Sequence, residues 1–553
     1  MASDVWLGEG SHGRLSLSKK ARDVHMHVIG LSRQGKSYFL EHLIRQDIKN
    51  GVGLCVIDPH GSMYNNLVMW LIANKMHRRR RIHLINPAAG DWSVGFNPLA
   101  INDEHIGARV GAMIDACQKV WDDVESTGHK SLARLLEMVF TTLARHRLSL
   151  REAPLLASWH HREARQRLVE ATGDIELIDD WLSVDDLRRS EFTLQFQGVH
   201  NRLRALTRAG GIAQMLGHTE GVLNFKTCME EGHVVLVNLA HQGTVHPKVP
   251  QTVGALITAD LYHAAHCRDT TIAEHAPFYC YIDECARYLN ETVVDGLDET
   301  AKYGLHYILS HQGLDQLGKP DDPIRRGVMR GAQNKVVFLQ DDVESAAEVG
   351  YFLFGKTFNL ETPKKVLIKP TVVGFERQWL HSEGYSSGSS SADVTGNSSG
   401  TNSGVSMLDI DDPTATLFEG QTTGKSSATA SGSSSSQSQS RSETLVPILE
   451  DLPTGVYSLD ELKHLSAVQV RLLKQRQAFL YSADDRTPHQ FATADVFPAK
   501  PTIRQADSFY RTIGDREPTA KPPAAVEAAV AQRRVAILGA PPQSGLETDD
   551  FFD

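Results

Sequence analysis

The 553-residue chain is long enough for two or three domains with a sizeable core. Its 57 lysines and arginines stand against 67 aspartates and glutamates, a net charge of −10. That balance excludes a surface built all over for nucleic acid and confines any such contact to a patch or a channel.

Six cysteines, Cys55, Cys117, Cys228, Cys267, Cys280 and Cys285, form no C-x-x-C pair, so they read as reduced thiols of a cytoplasmic protein. No basic stretch followed by an apolar run leads the chain. Nor does any apolar run approach the roughly twenty residues that cross a bilayer, and the chain as given is expected to be soluble.

Residues 1–23 are polar and glycine-containing, a leading segment with little signal. Val24 to Ile29 is a short apolar and β-branched run, and Gly30-Leu31-Ser32-Arg33-Gln34-Gly35-Lys36-Ser37 completes G-x-x-x-x-G-K-S. Phe39, Leu40, Leu43 and Ile44 follow at helical spacing up to Lys49, which gives the strand, loop and helix that a phosphate-binding loop requires. Glycines let successive N–H groups turn toward phosphates, Lys36 reaches the outer phosphates, and Ser37 offers its hydroxyl to Mg²⁺. Gly30, Ser32, Arg33, Gln34, Gly35, Lys36, Ser37 and Tyr38 are the candidate nucleotide-binding set, with ATP and Mg²⁺ as cofactors.

Gly53 to Ile57 reads as a buried strand ending in Asp58-Pro59-His60-Gly61, at an edge where open α/β sheets bind ligands. A helix through Leu67 and Leu71 closes on the basic run Arg78 to Arg81, Ile82 to Ile85 is a third strand, and Phe96 to Leu99 a turn. From 101 to 220 the spacing becomes helical, so an all-α domain is expected inside the α/β domain, whose two parts are 24–100 and 221–382. Strands return at His233 to Leu239, Phe278 to Ile282, Leu305 to Leu309 and Lys335 to Leu339, with helices between them, which predicts a mostly parallel sheet covered on both faces. Residues 383–444 are dominated by Ser, Gly, Thr and Asn and read as a disordered linker. Order is expected again over 445–497, where Ser458 and Glu461 form a capping-box pair, and the Pro- and Ala-rich 498–553 reads as a disordered tail with an acidic, Phe-containing end.

A phosphate loop needs an acidic residue on a buried strand for Mg²⁺ and a second carboxylate to orient the attacking water. Asp283, holding the ion through water, and Glu284, polarising the nucleophile, fit after the run Phe278 to Ile282. Gln312, at the end of the next strand, is placed to sense the γ-phosphate. Lys36, Asp283, Glu284 and Gln312 are the candidate catalytic set. Arg202, Arg204 and Arg208, with Leu203 and Leu206, make an amphipathic basic segment suited to gripping DNA phosphates, as does Arg78 to Arg81. His25 with His27 and His160 with His161 lack cysteine or carboxylate partners at ligand spacing and make no expected zinc site.

HVIGLSRQGKS, CVIDPHGS, FNPL, YIDE and KYGLHYILSHQGLDQL, in this order and with a helical insert after FNPL, resemble the HerA/FtsK superfamily of ring ATPases, and within it the TraG/TraD-type coupling proteins of conjugation and type IV secretion. The resemblance spans about 24–380 and 445–497. It implies a RecA-like P-loop ATPase working as a homohexamer that moves single- or double-stranded DNA through a central channel, with the all-α domain facing the relaxosome, and with a relaxosome, secretion-channel or effector protein as partner. It makes Lys36 and Ser37 the phosphate and Mg²⁺ contacts, Asp283 and Glu284 the Walker B pair, and Gln312 the sensor.

The chain departs from that pattern twice. Coupling proteins begin with membrane-spanning helices and this sequence shows none, so the expectation is a cytoplasmic protein that either docks peripherally at the inner membrane on a separate membrane protein or works wholly in the cytosol. Their Gly-Arg-Lys before the sensor strand is Thr300-Ala301-Lys302 in this sequence. Lys302, Arg325, Arg326 and Arg330 are therefore the candidates for a cation acting on the neighbouring subunit's site, an arginine being favoured for its planar fork. Two other readings fit the same motifs: a HerA-like ring scaffolding a partner nuclease or effector in DNA processing or defence, and a type IV secretion assembly or protein-export ATPase.

Overall fold

The computed structural model describes residues 4–89, 92–100, 105–121, 129–241, 243, 245–269, 271–272, 274–355, 369–388, 398–404, 418–424, 434–452, 458–516 and 519–539. The chain divides into two compact units, Met1–Asn359 with Ser458–Asp553, and Leu360–Tyr457 between them.

In the first unit the strands before the break are β1 (Val5–Gly10), β2 (Gly13–Leu17), β3 (Met26–Ile29), β4 (Gly53–Asp58), β5 (Ile82–Ile85), β6 (Ser93–Val94), β7 (Val234–Asn238), β8 (Phe278–Ile282), β9 (Leu305–His311) and β10 (Asn334–Phe338). The second unit holds β11 (Lys369–Gly388) paired antiparallel with β14 (Ser434–Leu452), and β12 (Ser398–Gly404) paired with β13 (Phe418–Gly424). The stretches 383–388 and 434–444, which composition marks as linker, lie within that ladder. The first unit then resumes with β15 (Gln477–Tyr481), β16 (Pro488–Thr493) and β17 (Ala520–Lys521).

Eleven strands form one sheet in the order β2-β1-β16-β15-β10-β3-β9-β8-β4-β7-β5. From β10 to β5 every pairing is parallel, and from β15 to β2 every pairing is antiparallel. Successive side chains of a strand point to opposite faces, and β4 sends Leu54 and Val56 into one core and Cys55 and Ile57 into the other. Burial on both sides explains why the parallel strands read as continuous apolar runs. The helices Lys36–Lys49 and Ser62–Ala73 cover the first face through Phe39, Leu43, Leu67 and Leu71. The other face carries the insertion, whose helices include Ile106–Trp121, His129–Arg145, Ile175–Asp185 and Arg189–Thr207. Its core is continuous with that of the sheet, from Ile57 and Val237 to Trp181 and Phe196, whose rings stack 5.7 Å apart.

Two segments carry more structure than composition suggests. The leading segment supplies β1, β2 and Arg22, whose buried guanidinium holds Asp47 at 2.6 and 2.8 Å and so fixes the helix after the phosphate loop. Beyond Pro498, helices Ile503–Arg516 and Pro523–Leu538 replace the expected disorder, while 540–553 lie outside the described residues. Phe509 is fully buried against His77, and Val526 and Val530, one helical turn apart, pack over Gly217. Arg533 donates to Glu152 at 3.2 Å and to the Gly217 carbonyl at 2.7 Å, and Arg151 forms a two-pronged pair with Glu527. Among the described residues no helix is long and apolar enough to cross a membrane.

Candidate active site

The phosphate loop follows β3, at the carboxyl edge of the parallel strands. Gly30 lies so close to β10 that a Cβ there would meet Phe338 Cβ at 2.4 Å. Gly35, at φ +108°, has the left-handed backbone that starts the Lys36–Lys49 helix, and Arg33 is left-handed too. These turns put the helix N-terminus and its unpaired N–H groups at the mouth of the loop. The Lys36 ammonium donates across that mouth to the carbonyls of Gly30 and Leu31, the latter at 3.1 Å. Burial lowers its pKa, opposed by the charges of Asp283 and Glu284.

The sheet order sets the rest of the site, because β9 lies between β3 and β8. Asp283 and Glu284 at the end of β8 therefore face the loop across the end of β9, and residues 310 and 312 of that segment bridge the gap. Ser310 Oγ donates to Asp283 Oδ1 at 3.0 Å. Gln312 Nε2 donates to Glu284 Oε1 at 2.6 Å, and Gln312 Oε1 accepts the Ser32 hydroxyl at 2.9 Å. Burial raises the Asp283 pKa, helped by Glu284 and partly offset by Ser310. Glu284 is held at φ +50°, a rare backbone for a non-glycine residue, which suits a side chain aimed for a purpose. A buried lysine at a helix N-terminus, a hydroxyl at Ser37 and two facing carboxylates match what a magnesium-bound nucleoside triphosphate requires.

Other residues the sequence singles out are placed differently. Asp58 caps the next helix, accepting from the N–H groups of His60 and Tyr64, each at 2.8 Å. Arg325 is buried and occupied within its own chain by Glu348 and the Gly318 carbonyl, so it is not available to a neighbouring subunit. Arg326 and Arg330 are exposed on the helix Pro323–Gly331, and exposed Lys302 stands at the amino end of β9, away from the loop. Arg202, Arg204 and Arg208 lie on or end the insertion helix Arg189–Thr207. Arg202 borders a cleft of about 220 Å³ with Trp121 and Lys248, Arg204 is half-buried, and Arg208 is exposed. In the run Arg78 to Arg81, Arg80 is a strut bonded to the carbonyls of Ile48, Val52 and Gly232.

Three contributors escape sequence reading. Ser310 shares Gln312's side of the segment, and the two-residue period was the signal that points to it. Gln475 and Arg476 give no local signal, yet Gln475 Nε2 donates to the Arg33 carbonyl and the Arg476 N–H to the Gln34 carbonyl, both at 2.9 Å. The segment after the second unit thus braces the phosphate loop.

No protein-family model matches the sequence, and no curated protein sequence does. Among solved structures the fold is similar to plasmid coupling protein TrwB in complex with the non-hydrolysable GTP analogue GDPNP, at 12% identity and TM-score 0.50 over 91% of this chain and 92% of that one. The trigonal form of bacterial conjugative coupling protein TrwBΔN70 with sulphate is similar at 12% and 0.50 over 90% and 91%. VirB4 of Thermoanaerobacter pseudethanolicus is similar at 12% and 0.43 over 64% of this chain and 87% of that one. The chain thus has the α/β P-loop fold of the conjugative coupling protein TrwB.

Proposed function

We propose that the chain is an ATP-hydrolysing DNA translocase of the coupling-protein type, acting as a ring of identical subunits in conjugative or mobile-element DNA transfer or processing. The observation that carries this reading is the continuous bridge from Ser32 through Gln312 to Glu284. A nucleotide-binding protein with no turnover has no need of a carboxylate held by an amide that also touches the phosphate loop.

Lys36 and the loop N–H groups bind the outer phosphates and hold them in line with Glu284. Bound Mg²⁺ neutralises phosphate charge, and Ser37 and Asp283 are the residues that would hold it. Glu284 accepts a hydrogen bond from the attacking water and takes its proton. Gln312 keeps the carboxylate turned toward that water. Because one amide contacts both Ser32 and Glu284, loss of the outer phosphate shifts its bonding and moves the end of β9. Strand β9 spans the sheet and carries that shift away from the nucleotide.

ATP hydrolysis by the full chain, measured with and without single- and double-stranded DNA, tests the proposal. Strong DNA stimulation, absent in Lys36→Ala and Glu284→Gln, is expected. Hydrolysis indifferent to both forms of DNA would refute the translocase and favour the scaffold or protein-export reading.

A further inference from the structure

Far along the sheet, at its edge strand, three side chains of ligand type meet in the interior. His83 lies on β5, Cys228 on the helix Phe225–Glu231, and His233 just before β7, and each is at most 4% exposed. One donor atom from each lies within 4.8 Å of the other two. His83 Nε2 and His233 Nδ1 are 3.0 Å apart.

We propose that His83, Cys228 and His233 bind a zinc-class divalent ion that fastens the edge of the sheet. Two imidazole nitrogens on one tetrahedral zinc, each about 2.0–2.1 Å from it, sit roughly 3.3 Å apart, and a nitrogen and a thiolate sulfur roughly 3.6 Å. The two nitrogens, 3.0 Å apart, come to that value after a shift of a few tenths of an ångström, and the Cys228 sulfur, within 4.8 Å of both, has to draw in toward the ion. Thiolate with imidazole is the donor set that selects zinc among common cellular divalent ions.

The surroundings are built for it. The Glu231 carboxylate lies 2.8 Å from His233 Nε2 and accepts a hydrogen bond from its N–H. That bond fixes the tautomer that turns the Nδ1 lone pair inward, the carboxylate–histidine arrangement found behind zinc ligands. Gly232, at φ +67°, ends the helix with a left-handed turn, and the His233 N–H returns to the Cys228 carbonyl at 2.9 Å, which folds imidazole over thiol. The ladder of β5 with β7, in which His83 sits opposite Val235, delivers the third ligand.

The ion would join parts of the core that lie on either side of the helical insertion, 145 positions apart between His83 and Cys228. Strand β5 has four residues and a single neighbour in the sheet. A metal there holds the edge where a short ladder alone is weakest.

Cobalt(II), titrated into the full chain after chelation under reducing conditions, provides the test. We expect one equivalent to give a thiolate-to-cobalt absorption band that zinc abolishes. Cys228→Ser should remove the band, His233→Gln should weaken cobalt binding by at least about tenfold, and Cys267→Ser, whose thiol lies 3.4 Å from His263, should leave it unchanged. A wild-type chain without the band, or a band that survives Cys228→Ser or is lost with Cys267→Ser, overturns the site. Should the variants misfold, X-ray absorption of the zinc-loaded wild type decides: one sulfur neighbour supports the site, and none or more than one refutes it.

Discussion

Gln312 holds Glu284 through a 2.6 Å hydrogen bond from its side-chain amide, and the other end of the same amide takes the hydroxyl of Ser32 in the phosphate loop. A hydrogen bond to a charged group contributes about 1.5–3 kcal/mol. If that orientation is realised at the transition state, Gln312→Ala lowers kcat by about 10- to 100-fold. The KM for ATP should move by less than about threefold, because the loop and Lys36 still bind phosphate. Steady-state kinetics decides, and a change confined to KM would show that Gln312 serves binding instead.

Lys36 and Glu284 are expected to separate binding from turnover. Lys36→Ala removes the cation at the mouth of the loop, so affinity for a fluorescent ATP analogue should fall at least about tenfold. Glu284→Gln keeps size and hydrogen bonding, should bind the analogue within about threefold of wild type, and should slow hydrolysis by roughly 10²–10⁴. Equal loss of binding in both variants would refute this division of labour.

Arg533 reaches Glu152, which is 1% exposed and caps its own turn through Ser149. Arg533→Ala leaves that carboxylate buried without its cation, and should destabilise the first unit by about 2–3 kcal/mol. Glu527, nearly half exposed beside Arg151, is a control: Glu527→Ala should cost less than about 1 kcal/mol. Chemical denaturation of both variants measures the difference. Equal effects would show that the carboxy-terminal helix contributes by packing alone.

Acid should unfold the protein early. Burial, joined by Lys36, Lys335 and Arg325, pushes His311 down to about 3, and burial with His25, Arg22 and Arg268 does the same to His306. Above pH 6.5 both rings are neutral in the folded and unfolded chain. As pH falls below 6.5 the unfolded chain takes up protons that the folded one refuses until about pH 3, so stability drops across that window. The loss is about 1.4 kcal/mol per pH unit per ring, or roughly 2 kcal/mol each by pH 5. Urea midpoints at pH 7 and pH 5 give the slope, which His306→Gln should flatten; an identical slope in that variant would sink the assignment.

The parts that lie within one local stretch were legible in the sequence: the loop from Gly30 to Ser37, the strand running into Asp283 and Glu284, and the strand ending at Gln312 all carry their own periodicity and turn chemistry. The helical insertion was legible from spacing alone. What depends on distant pairing was not. Nothing near Arg476 announces that its N–H braces Gln34, and Arg325 shows no sign in sequence of its commitment to Glu348. Composition misled beyond Pro498, because alanine and proline dilute the apolar signal while Val526 and Val530 still form a buried stripe. His83 and Cys228 stand too far apart for any ligand spacing to betray them, and their neighbourhood follows only from the ladder of β5 with β7.

The first unit is assembled from two stretches of chain, and the later one is woven into the earlier. Strand β15 lies against β10, β16 lies against β1, and Arg476 reaches the loop of β3. Covalent continuity through residues 360–457 is therefore not what keeps the nucleotide site whole. A peptide bond cut there should leave two fragments that co-purify, share one melting transition and keep ATP turnover.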